Sequence, residues 1–72
     1  MASLEVVRRR ALLTQRELAQ KAGVALSTVF LIEKGRQPRP SLRVIRSISS
    51  ALGVPADEID EFRAALPADD DQ

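Results

Sequence analysis

Apolar residues recur along this chain at intervals of three and four, the spacing of a helical face, and nowhere in the strict alternation of a half-buried strand. Leu4, Val7 and Ala11 form the first stripe. Ser3 before it suits a helix N-cap, and the spacing predicts a helix over residues 3–11. Leu18, Ala19 and Ala22 form the second, over residues 15–22. Thr14 precedes that stripe and Glu17 follows three positions later, the pattern of a capping box. Gly23 then supplies the left-handed residue that ends a helix. Val24, Val29 and Ile32 mark a third helix over residues 26–34, closed by Gly35. Ser41 caps a fourth over residues 42–52, with Leu42, Ile45, Ile48 (or Ser49) and Leu52 inward and Gly53 at its end. A fifth is predicted over residues 56–65, with Ile59, Phe62 and Leu66 on one stripe and Pro67 as its stop. The expected core is Leu4, Val7, Ala11, Leu18, Ala19, Val24, Val29, Ile32, Leu42, Ile45, Ile48, Leu52, Val54 and Ile59.

Five such helices make a small all-α bundle. A chain of 72 residues is one domain, burying only about 60% of its unfolded surface. The domain is expected over residues 1–66, with residues 67–72 too acidic and apolar-poor to order themselves. The sequence has neither cysteine nor histidine. Disulfides, thiolate metal ligands, a zinc site and a histidine base are thereby excluded, and neither a cofactor nor an enzymatic activity is expected. No apolar run is long enough to span a membrane. The first ten residues lack the apolar core of a secretory signal, so a cytoplasmic location is expected.

The net charge of +1 conceals a division. Residues 1–46 carry ten basic and three acidic side chains, a balance of +7, whereas residues 47–72 carry one basic and seven acidic, a balance of −6. A split of this kind suggests one face for phosphate and another turned away from it.

Helix, glycine-containing turn and helix over residues 15–34 is the unit that places its second helix in the DNA major groove. The residues that carry it are Thr14-Gln15, Glu17-Leu18-Ala19, Ala22-Gly23-Val24, Ser27-Thr28, Ile32-Glu33 and Gly35, with Leu52-Gly53-Val54 further on. In these the chain resembles the phage-repressor (Xre/Cro) helix-turn-helix family, over roughly residues 6–62. The resemblance implies a five-helix domain of the lambda-repressor-like type, bacterial or phage-encoded. It implies a transcriptional regulator that binds double-stranded DNA as a homodimer on a palindromic operator. Gln15, Thr28, Arg36, Arg39 and Arg43 would then meet the DNA backbone, and Leu26, Ser27 and Leu31 would approach base edges. The resemblance also pairs Arg8 with Glu33, as a structural lock between the first and third helices. Phe62 and Leu66 either cover the bottom of the bundle or form the dimer contact.

The chain departs from the family pattern in three places. Leu12 stands where glycine is usual, and a left-handed conformation would strain a leucine, so this turn is expected to differ. Ala25 stands where a serine or threonine would cap the third helix better, and Ser27 or Thr28 is the candidate substitute. The third departure bears on function. Reading helices usually present Gln, Arg, Lys or Asn for hydrogen-bonded readout, whereas here the outward face is Leu26, Ser27, Phe30 and Leu31. Three readings of that apolar patch stand: packing on thymine methyls, a surface for a protein partner or antagonist, or a shifted helix that buries one or two of its members.

Overall fold

The computed structural model describes residues 2–36 and 40–65. These form five α-helices: α1 (Leu4–Arg10), α2 (Gln15–Ala22), α3 (Leu26–Glu33), α4 (Leu42–Leu52) and α5 (Asp60–Ala65), with a 3₁₀ turn over Ala56–Glu58. The acidic tail, Gln37 to Arg39 and Leu66 lie outside the described residues.

Local chemistry sets most of the boundaries. The Ser3 hydroxyl accepts from the Val6 amide and the Ser41 hydroxyl from that of Val44. Thr14 and Glu17 exchange both bonds of the capping box, at 3.0 and 2.9 Å. Gly23 and Gly53 take the left-handed conformation at the ends of α2 and α4, each with φ of 71°.

Helix α2 lies at the centre, packed against both α3 and α4, while α1 lies on α3. Leu4, Leu18, Val29, Ile32, Ile48, Ile59 and Phe62 are wholly buried between them, joined by Ala19 and Ile45. Val7, Val24, Leu52 and Val54 pack against this core while half-buried. Two expected members lie outside it. Ala11 is exposed, because it is the C-cap of α1 and the chain turns away there. Leu42 is 52% exposed, because the first residue of α4 overhangs the elements it packs on.

The end of the chain departs further from the periodicity. In place of one helix, the 3₁₀ turn and α5 are separated by Ile59 in extended conformation. The cause is distant in sequence. Ala2 forms a parallel bridge with Ile59, its amide donating to the Glu58 carbonyl and its carbonyl accepting from the Asp60 amide. The Leu4 amide donates to Glu61 Oε1 at 2.8 Å, so α1 is capped from 57 positions away. This closure drives Ile59 and Phe62 into the core. Phe62 has no exposed surface, which corrects its reading as a dimer contact: the ring is spent on its own domain.

Leu12 corrects a second expectation. The turn after α1 keeps the left-handed conformation, with Leu12 at φ of 62° and its side chain 88% exposed. Strain of about 1–2 kcal/mol is therefore held there with nothing packed to offset it. Leu12→Gly is expected to relieve more strain than it adds in unfolded-chain entropy and to raise Tm by roughly 4 °C. Phe62→Ala, in contrast, is expected to cost about 3–5 kcal/mol in urea denaturation. A mere surface contact would lose almost nothing.

Candidate nucleic-acid interface

Helix α3 turns Val29 and Ile32 inward, where both are wholly buried. The opposite side is consequently turned out: Leu26 and Phe30 are 41% and 44% exposed, Ser27 is exposed, and Thr28 and Leu31 are half-buried. Neither Leu26 nor Leu31 is sequestered in the monomer, so the shifted-helix reading is not what the fold adopts. The helix begins without a side-chain cap at Ala25. Neither Ser27 nor Thr28 supplies one; instead the Thr28 amide donates to the Ala25 carbonyl at 3.0 Å.

The other end of α3 is firmly held. Arg8 Nε donates to Glu33 Oε2 at 2.7 Å and Arg8 Nη2 to Glu33 Oε1 at 3.1 Å, a two-pronged pair with side chains 10% and 5% exposed. The third guanidinium nitrogen, Nη1, donates to the Leu13 carbonyl at 2.9 Å. The hydrogen bonds to Glu33 hold the Arg8 guanidinium above its ordinary pKa, against the opposing effect of burial. One carboxylate thus ties α3 to α1, and the same arginine ties α1 to the turn before α2.

Gln15, the first residue of α2, joins this cluster. Its Nε2 donates to Glu33 Oε1 at 2.9 Å. An amide nitrogen carries two hydrogens, so one is used within the protein, and Gln15 is oriented rather than freely solvated. Gln15, Glu33 and Lys34 line one polar cleft with Arg9. Thr28 and Arg43 come together in another, beside Gly23 and Ser41. Arg36 is exposed just past Gly35, its amide bonded to the Leu31 carbonyl at 2.9 Å. Arg39 and Leu66 lie outside the described residues, and Phe62 is buried away from this face.

One interacting pair escapes a reading based on stripes. Lys34 Nζ lies 5.6 Å from the centroid of the Phe30 ring, a cation–π contact along the outer side of α3. The four-residue spacing of Phe30 and Lys34 is the signal that could have found it.

An uncovered helix, set by a glycine turn on a second helix and flanked by arginines, defines a helix-turn-helix domain of the Xre-like kind. Residues 2–62 match the family model described as a helix-turn-helix domain, and the chain belongs to that family. Two relatives bear the name of uncharacterized HTH-type transcriptional regulators. One, from Methanocaldococcus jannaschii, is 43% identical over 47 residues, 65% of this chain and 70% of the relative. The other, from Methanothermobacter thermautotrophicus, is 49% identical over 41 residues, 57% of this chain and 58% of the relative. No solved structure matches the chain. Among the described residues, no helix is long and apolar enough to cross a membrane.

Because Glu33 is nearly buried, removing its charge leaves Arg8 unpaired in the interior. Glu33→Gln is expected to cost about 3–5 kcal/mol in equilibrium unfolding, whereas the double variant Arg8→Met/Glu33→Met loses less than either single change. Equal losses for single and double variants would remove the pair from its structural role.

Proposed function

We propose that this chain is a transcriptional regulator that binds double-stranded DNA with α3 in the major groove. The observation that carries the reading is the division of α3: Val29 and Ile32 are fixed inside, while Leu26, Ser27 and Phe30 stand outside. Family membership supports it, as do the names of the two relatives. In this reading Leu26, Ser27 and Leu31 approach base edges. Gln15, Thr28, Arg36 and Arg43 meet phosphates, and Arg39, between two prolines, joins them. The helix start at Gln15 adds free amides and positive potential to the same task.

The reading extends to two copies on a palindromic site. Eight residues of α3 span only about 12 Å, enough for a few base pairs. Two such helices one turn apart, about 34 Å, would read a site long enough to be distinctive. Phe62 gives no surface to this pairing; Leu66 is the remaining candidate from that end of the chain.

A second reading is favoured by the same outward side of α3. Leu26, Phe30 and Leu31 would also serve a protein partner or antagonist, which would bind with little dependence on salt.

Selection from random duplex DNA, followed by titration of the enriched site, separates these readings. Affinity for DNA is expected to fall by about 0.9 log units per log unit of salt for each phosphate contact. Arg43→Ala should reduce that slope by about 0.9 and weaken specific and random duplex alike. A flat salt response, or no enriched sequence, would overturn the DNA reading.

A further inference from the structure

The outward face of α3 is limited in what it can sense. Among Leu26, Ser27, Phe30 and Leu31, the Ser27 hydroxyl is the sole hydrogen-bonding side-chain group. Lys34, the C-cap of this helix, is engaged with the Phe30 ring. Exposed cations stand on the neighbouring elements: Arg16 on α2, Arg36 after α3, and Arg43 on α4. Apolar residues on α3, with exposed cations on the adjoining segments and Arg43 beside Thr28, complement a polyanion that holds apolar groups between two rows of phosphate. A purely apolar protein patch would leave those cations unmatched. In the major groove, the apolar group a base pair offers is the methyl at C5 of thymine.

Resting on the DNA-binding reading above, we infer that α3 recognises C5-methylpyrimidines, with the methyl itself as the determinant. Thymine always carries this methyl. Cytosine gains it at the same ring position and the same groove edge when methylated at C5. The two bases differ in the groove at C4, where thymine has an acceptor oxygen and cytosine a donor amino group. Leucine and phenylalanine sense neither, and a serine hydroxyl both donates and accepts. The face formed by Leu26, Ser27, Phe30 and Leu31 therefore discriminates poorly at C4 and well at C5. A cytosine-containing variant of the site, weakly bound when unmodified, becomes a target once methylated, so occupancy follows the methylation state of the DNA.

The test uses the full chain and the duplex it enriches from random DNA. Each thymine of a half-site is replaced singly by deoxyuridine, which removes the methyl and changes nothing else in the groove. Burial of one methyl corresponds to about a fourfold change in affinity, so Kd is expected to rise about fourfold at each thymine that meets Leu26 or Leu31. At those positions the thymine–adenine pair is then exchanged for cytosine–guanine, with and without the C5 methyl. The methylated pair is expected to bind about fourfold tighter than the unmethylated one. Leu26→Ala/Leu31→Ala, verified as folded by its melting transition, should abolish the thymine–deoxyuridine difference. Arg43→Ala, at an exposed position, should weaken all duplexes and leave that difference intact. Equal binding of thymine and deoxyuridine duplexes, or of methylated and unmethylated cytosine, overturns the inference while specific DNA binding stands. Failure to enrich any duplex overturns both.

Discussion

Five of the eight residues of α3 are apolar: Leu26, Val29, Phe30, Leu31 and Ile32. They are spread around the helix, so burial alone scarcely distinguishes one rotation about its axis from another. Turning α3 to bury Leu26 and Phe30 in place of Val29 and Ile32 would hide a similar apolar area. The Arg8–Glu33 pair removes that freedom. Glu33 must face α1 to receive the guanidinium on both oxygens, and this fixes which face of the helix looks outward. The pair's value is directional. Desolvating two charges costs several kcal/mol per ion, which the mutual attraction and the added bond to the Leu13 carbonyl largely offset without a great surplus. An apolar replacement of both partners would hold the helix in place about as tightly and orient it less well.

The same arginine accounts for the strained turn. Local preference alone would move Leu12 out of the left-handed region. Arg8 Nη1 holds the carbonyl of Leu13, and Leu13 packs half-buried against the core. With both neighbours fixed, Leu12 takes the conformation left to it and its side chain projects into solvent. This effect was illegible in the sequence because it depends on a side chain four positions back bending round the turn. The helix ends, in contrast, were legible. Thr14, Glu17, Gly23, Ser41 and Gly53 act within one turn of their own positions, and α2 and α4 span the residues that these signals delimit.

Where the reading of the chain fell short, the cause lay far along it. The spacing of Ile59 and Phe62 fits one helix, and periodicity cannot reveal that Ala2 pairs with the backbone around Ile59. Nor can a stripe state how many layers cover it; Phe62 looked peripheral because the docking of the N-terminal residues was unknown. At the site, the outward residues of α3 followed from its buried ones, while the bond from Gln15 to Glu33 did not. That bond needs the closure of α1, α2 and α3 around one carboxylate, a tertiary fact. The Phe30–Lys34 contact, in contrast, follows from plain helical spacing, four residues along one face.

Helix α3 is consequently ordered unevenly. Its last turn is held by Glu33 and by the bonds that close the helix at Gly35 and Arg36. Its first turn has no side-chain cap, a deficit of about 1 kcal/mol relative to serine or threonine. Leu26 and Ser27, two of the three residues assigned to base edges, lie at this weaker end. Ordering them on DNA would subtract from affinity, and apolar contacts contribute about 0.8 kcal/mol per methyl, against about 1–3 for a bidentate hydrogen-bonded pair. Base contacts of the kind proposed would therefore be weak in two respects. In the proposed DNA-binding reading, most of the affinity would come from phosphate contacts, which carry no sequence information, and discrimination would be gathered from more than one copy. An apolar outward face on a short helix, with exposed cations on the adjoining segments, is the form that such a division of labour would take.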